Sequence, residues 1–132
     1  SDKQTYPYLF WEGLGIDYKM PKDGFVVAKA NVEKLLIEKL TAQGLIAKEY
    51  DEFIEFWVPK MTEDPYYFIT FVPQQEFDRL APLEVSPRPD TIIRVFMDYK
   101  GLDKQIEVNP QTFETPQRNG FTVVEWGGAL HN

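Results

Sequence analysis

The sequence predicts an α+β domain in which a helix pair packs on one face of a mostly antiparallel sheet of about five strands. Three observations lead there. Two amphipathic stretches adjoin across Gly44-Leu45, aromatic and β-branched runs punctuated by Pro and Gly follow in the second half, and 132 residues suffice for a single core. The whole of 1–132 is read as a single domain, without internal repeats or low-complexity segments.

The elements are taken in chain order. Tyr6 to Trp11 is aromatic and extended in character and is closed by Gly13 and Gly15, which makes it a first or edge strand. After a turn at Pro21-Lys22-Asp23-Gly24, Phe25-Val26-Val27-Ala28 reads as a short strand or extended lead-in. Asn31 stands where an N-cap belongs; Val32, Leu35, Leu36, Lys39 and Leu40 form a stripe that runs to Gly44, a residue suited to the C′ position. The first helix is therefore expected over residues 32–43. Ile46, Tyr50, Phe53, Ile54, Trp57, Val58 and Met61 then recur on one face of a second helix. Lys48, Glu49, Asp51, Glu52 and Glu55 lie on its opposite face, and the acidic ones suit the positive end of the helix dipole. Pro59 ends or bends that helix near Val58.

The period changes at Tyr66 to Val72, a strand bounded by Pro65 and Pro73. Residues 74–80 make one or two helical turns, Leu83-Glu84-Val85 a short strand, and Thr91 to Tyr99 a central strand. That central strand places Ile93, Val95, Met97 and Tyr99 on one face and Ile92, Arg94, Phe96 and Asp98 on the other. Ile106-Glu107-Val108 alternates briefly, and residues 109–119 form a Pro-containing loop. Asn119-Gly120 signals a turn, and Phe121 to Trp126 is the last strand, expected to end at Gly127-Gly128.

Composition removes several chemistries. There is no Cys and one His, the penultimate residue His131, so neither a disulfide framework nor a multi-histidine metal site is expected. Ser86 has no nucleophile elbow around it, no glycine-rich phosphate cradle occurs, and no cofactor or metal is expected. Fourteen basic against 21 acidic residues, net −7, argues against a phosphate-backbone partner such as nucleic acid. No stretch approaches the roughly 20 apolar residues of a membrane span.

What remains is a set of aromatics and carboxylates at strand ends. Trp11-Glu12 and Glu125-Trp126 each close an apolar run before glycine. Were those ends adjacent, two indole faces could hold a sugar ring, and Glu12 with Glu125 could supply the two carboxylates about 5 to 9 Å apart that glycoside hydrolysis uses. The plainer reading is that each Trp plugs the rim of the core while its Glu faces water. Arg94, on a central strand, needs a partner in Asp98 or Glu125, and structural pairing outweighs substrate anchoring. Tyr66-Tyr67 and Phe56-Trp57 split between faces, which leaves Tyr66 or Phe56 to extend an interaction patch. The candidate binding residues are thus Trp11, Glu12, Tyr66, Arg94, Glu125 and Trp126.

The blocks Tyr6-Pro7-Tyr8-Leu9-Phe10-Trp11-Glu12, Phe53 to Pro59, Asp64 to Tyr67, Pro89 to Met97 and Gly120 to Gly128 resemble a family of largely uncharacterised microbial proteins, many exported or lipoprotein-like. The resemblance implies an extracytoplasmic location. It also implies that this region is the C-terminal part of a longer protein, with contact to a preceding segment. It supplies no activity, catalytic residue or cofactor. The reading is a non-catalytic binding module for a macromolecule or glycan; the alternatives are a small acid/base enzyme using Glu12 and Glu125, and a purely structural C-terminal module.

Overall fold

The structure is a computed structural model and describes residues 22–80 and 89–131. Four strands, β1 (Phe25–Ala28), β2 (Tyr66–Val72), β3 (Thr91–Leu102) and β4 (Thr122–His131), form one sheet in the order β1-β2-β3-β4. Helices α1 (Val32–Ala42) and α2 (Ala47–Trp57) pack together against one face, and α3 (Gln74–Leu80) follows β2. The expected strands at Tyr6–Trp11 and Leu83–Val85 lie outside the described residues.

Both long helices form for local reasons. In α1, Val32, Leu36 and Leu40 recur every fourth residue and are fully buried. Its end is a Schellman motif: Gly44 takes φ 103°, its N–H donates to Thr41 O (3.0 Å), and Leu45 N–H donates to Leu40 O (3.1 Å). Asn31 occupies the N-cap position without its side chain capping, because a 3-10 turn, Lys29–Asn31, leads directly into α1. At the start of α2, Glu49 accepts the Ile46 N–H (2.9 Å), half of a capping box. Ile46 is therefore the cap and not part of the stripe; it is 52% exposed, whereas Phe53, Trp57 and Met61 are buried. The helix gives way at Pro59 to a 3-10 turn, Val58–Lys60.

The sheet corrects the expected topology. β1–β2 and β2–β3 are antiparallel, but β3–β4 is parallel, with Ile93 opposite Val124 and Met97 opposite Gly128. The sheet is mixed, with four strands among the described residues. A parallel pair requires a crossover of a dozen or more residues, usually helical. Here residues 103–121 make it without regular structure, and Ile106-Glu107-Val108 belongs to that connection, not to a strand. Its anchors are specific. Asn109 O accepts the Gly24 N–H (2.8 Å), Phe113 packs on Phe25 and Phe71, Thr115 Oγ1 donates to Ala42 O (2.9 Å), and Arg118 donates to Glu49 Oε2 (3.0 Å) and Gly44 O (3.1 Å).

Two glutamine side chains continue ladders where a neighbouring strand has stopped. β1 ends opposite Ile69, so Phe71 meets Gln111, which accepts the Phe71 N–H (2.9 Å) and donates to Phe71 O (2.8 Å). β2 ends opposite Phe96, and Gln74 then accepts the Arg94 N–H (3.0 Å) and donates to Ile92 O (3.0 Å). Strand backbone that would otherwise be buried with open hydrogen-bonding groups is thereby satisfied.

β4 also differs from expectation, since it runs through Gly127-Gly128 to His131. A glycine inside a strand marks a close approach. At Gly128 the intruder is the Trp57 ring of α2: an added Cβ would stand 2.8 Å from Trp57 Cζ2 and 2.8 Å from Met97 O. Gly128→Ala should therefore destabilise the fold by about 1–3 kcal/mol through overpacking. Urea unfolding checks this; an unchanged midpoint would show that the indole is not seated on the strand.

Candidate functional site

Alternation along the strands divides the sheet side chains between two faces. Val27, Tyr67, Ile69, Phe71, Ile93, Val95, Met97, Tyr99, Val124 and Trp126 join the core under α1 and α2. Tyr66, Phe68, Thr70, Arg94, Asp98 and Glu125 alternate with them and belong to the second face.

That second face carries a row of buried polar groups. Arg94 and Glu125 stand opposite each other in the β3–β4 register, 3% and 6% exposed. Arg94 Nε donates to Glu125 Oε1 at 2.6 Å, and Nη1 donates to Asp78 Oδ1 of α3 at 3.1 Å. Charge-assisted bonds of this length are the strong kind, and they offset the cost of removing both ions from water. Thr70 and Asp98, both fully buried, face each other one strand over, and Thr70 Oγ1 donates to Asp23 O (2.7 Å). Of the two partners expected for Arg94, Glu125 forms an ion pair with it; Asp98 shares its face.

Asp78 and Gln74 are the members of this cluster that sequence reading overlooked. Both converge on Arg94, Gln74 on its backbone and Asp78 on its guanidinium. Their spacing of four residues in a short helix is the signal that places two polar side chains on one side.

The other predicted residues fall as follows. Trp126 is 6% exposed and sits in mid-strand on the helix face, its ring edge-on to Phe53 at 5.1 Å and tilted against Phe56 at 5.8 Å. Glu125 and Trp126 thus serve opposite faces, and Glu125, which the plainer reading has facing water, is instead buried against Arg94 because the parallel register sets the two opposite each other. Trp11 and Glu12 lie outside the described residues. Tyr67 is buried and its hydroxyl accepts the N–H groups of Glu63 (3.0 Å) and Asp64 (3.1 Å), while Tyr66 remains half-buried. Phe56 is half-buried beside Trp57 and lies 4.2 Å under the Lys60 ammonium.

Around Tyr66 the register assembles a more open area. Ala28, Tyr66 and Leu102 are cross-strand neighbours, as are Val26, Phe68 and Lys100, all on the second face. Lys100 is exposed and the other five are half-buried. Two rings two residues apart, flanked by aliphatic carbon and one ammonium, make a shallow platform.

Among the described residues no group of three His, Cys, Asp or Glu could hold a metal ion, and no helix is long and apolar enough to cross a membrane. Comparison of the chain with models of known families, with curated proteins and with solved structures gave no match.

Proposed function

We propose that this chain is a non-catalytic binding module of an exported or surface protein. In this reading the Tyr66–Phe68 platform holds a macromolecular ligand, foremost a glycan. The observation that carries the reading is the division of labour on the second face. The ionic groups at its buried end are held against one another, with Glu125 bonded to Arg94 at 2.6 Å, while the rings at the other end stay partly open. A carboxylate committed in that way is poorly disposed to move protons for a substrate. An aromatic face beside an ammonium suits the apolar face and hydroxyl rim of a sugar ring. The extracytoplasmic setting follows from the family resemblance of the sequence blocks.

Titration with soluble cell-wall glycan fragments and a peptide panel tests this reading. Binding should weaken about tenfold in Tyr66→Ala and again in Phe68→Ala. Silence across the panel, or binding indifferent to both substitutions, would overturn it.

A further inference from the structure

We infer that Asn119-Gly120 is a self-modification site, at which the native fold permits the asparagine to convert to aspartate and isoaspartate. In this reaction the Gly120 backbone nitrogen, losing its proton to solvent base, attacks Asn119 Cγ. The new N–Cγ bond forms as Cγ–Nδ2 breaks and ammonia leaves, giving a five-membered succinimide. Water then opens the ring at either carbonyl, yielding a carboxylate in place of the amide. One opening restores the ordinary backbone and the other routes the chain through the side-chain carbon. Attack within one dipeptide enjoys the rate advantage of a tethered nucleophile, and the demand on the fold is that both groups stay accessible and unengaged.

Among the described residues that demand is met at Asn119. Asn119 and Gly120 are both exposed, and Gly120 holds φ 62°, a conformation that suits glycine, with the Asp90 carboxylate packed against its Cα where a side chain would otherwise stand. Among the described residues neither the Asn119 side-chain amide nor the Gly120 N–H has a hydrogen-bond partner. The bonds nearby use Asn119 N and O with Thr91 Oγ1 (3.3 Å each), Phe121 N with Asp90 Oδ2 (2.8 Å), and Gly120 O with Thr122 Oγ1 (3.5 Å). Asp90, against Gly120, is engaged with Phe121, and Arg118, the residue before Asn119, is engaged with Glu49.

The other described asparagines and the one described Asp-Gly pair are each blocked. Asn109 precedes Pro110, which has no N–H to attack with. Asn31 precedes Val32, whose N–H donates to Lys29 O at the entry to α1. Asp23-Gly24 could reach the same succinimide by loss of water, but Gly24 is buried and its N–H is given to Asn109 O at 2.8 Å. The position also matters to the fold. An isoaspartyl link lengthens the main chain between Thr91, which holds Asn119, and the Asp90 carboxylate, which caps Phe121. It also adds a negative charge beside Asp90 where β4 joins β3.

The test is to age the purified chain in warm, mildly alkaline buffer and map its peptides by mass spectrometry. Isoaspartate is counted by enzymatic methyl transfer to the α-carboxylate that the β-linkage leaves free. The expected result is an acidic species whose mass gain lies in the peptide holding Asn119 and which accepts methyl groups, with no isomerisation at Asp23; Asn119→Gln should lose that species. The inference is overturned if Asn119 converts in the isolated peptide but not in the folded chain, or if Asp23 isomerises as fast as Asn119 converts.

Discussion

Arg94→Met is expected to lower the unfolding free energy by about 3–5 kcal/mol, the cost of leaving a buried carboxylate without its counter-ion. Glu125 is the group left behind: it is nearly inaccessible, stands opposite Arg94 in the parallel register, and accepts the Nε–H at 2.6 Å. Asp78 suffers less because its side chain is half exposed and can turn to water. The double variant Arg94→Met, Glu125→Leu should recover most of the loss, since apolar groups of similar volume remove both desolvation penalties together. Chemical denaturation of the three proteins measures the coupling. If the double variant is as unstable as the single one, the pair is not what stabilises this face, and the effect belongs to packing around the arginine stem.

Trp57→Ala should be as severe, with a loss of about 3–5 kcal/mol. The indole is 2% exposed at the centre of the aromatic cluster, 4.8 Å from Phe56, 5.9 Å from Tyr99 and 6.2 Å from Phe53. Because Gly128 has no side chain to collapse into the space, the cavity would stay open on the β4 side. A melting temperature lower by roughly 10–20 °C is the expected reading for a domain of this size. Trp57→Phe separates shape from polarity. Among the described groups Trp57 Nε1 has no hydrogen-bond acceptor, so this change removes a buried unsatisfied donor along with part of the ring and should cost much less than alanine. Equal destabilisation by both substitutions would contradict that account.

These two residues differ in how far the sequence disclosed them. Trp57 was legible as a core position because α2 has a 3.6-residue period, and its neighbours Phe53 and Met61 recur on the same stripe and are buried with it. Arg94 was legible as a residue that needs a partner, because a charge on the second face of a central strand cannot stay solvated. The identity of the full set was not. Glu125 lies 31 residues away and Asp78 lies 16 away on another element, and strand pairing alone determines which carboxylate stands opposite the guanidinium. Trp126 shows the same limit: its sequence neighbours Glu125 and Gly127 suggested a strand end, but the strand runs on past it.

Much of the local structure was set by short-range chemistry. Prolines 65 and 73 bracket a seven-residue β2 whose side chains favour a pleated surface, Gly44 takes the left-handed angle that closes α1, and Glu49 caps α2 through the Ile46 N–H. Each of these depends on atoms a few residues apart, so the sequence carries it directly. The parallel pairing of β3 with β4, the continuation of β4 through Gly127-Gly128, and the glutamine clamps at Phe71 and Arg94 were decided only in three dimensions. Their energies come from contacts 18 to 71 residues apart in the chain, such as Gln74 with Ile92 and Trp57 with Gly128. No local periodicity encodes which distant edge satisfies a given backbone group.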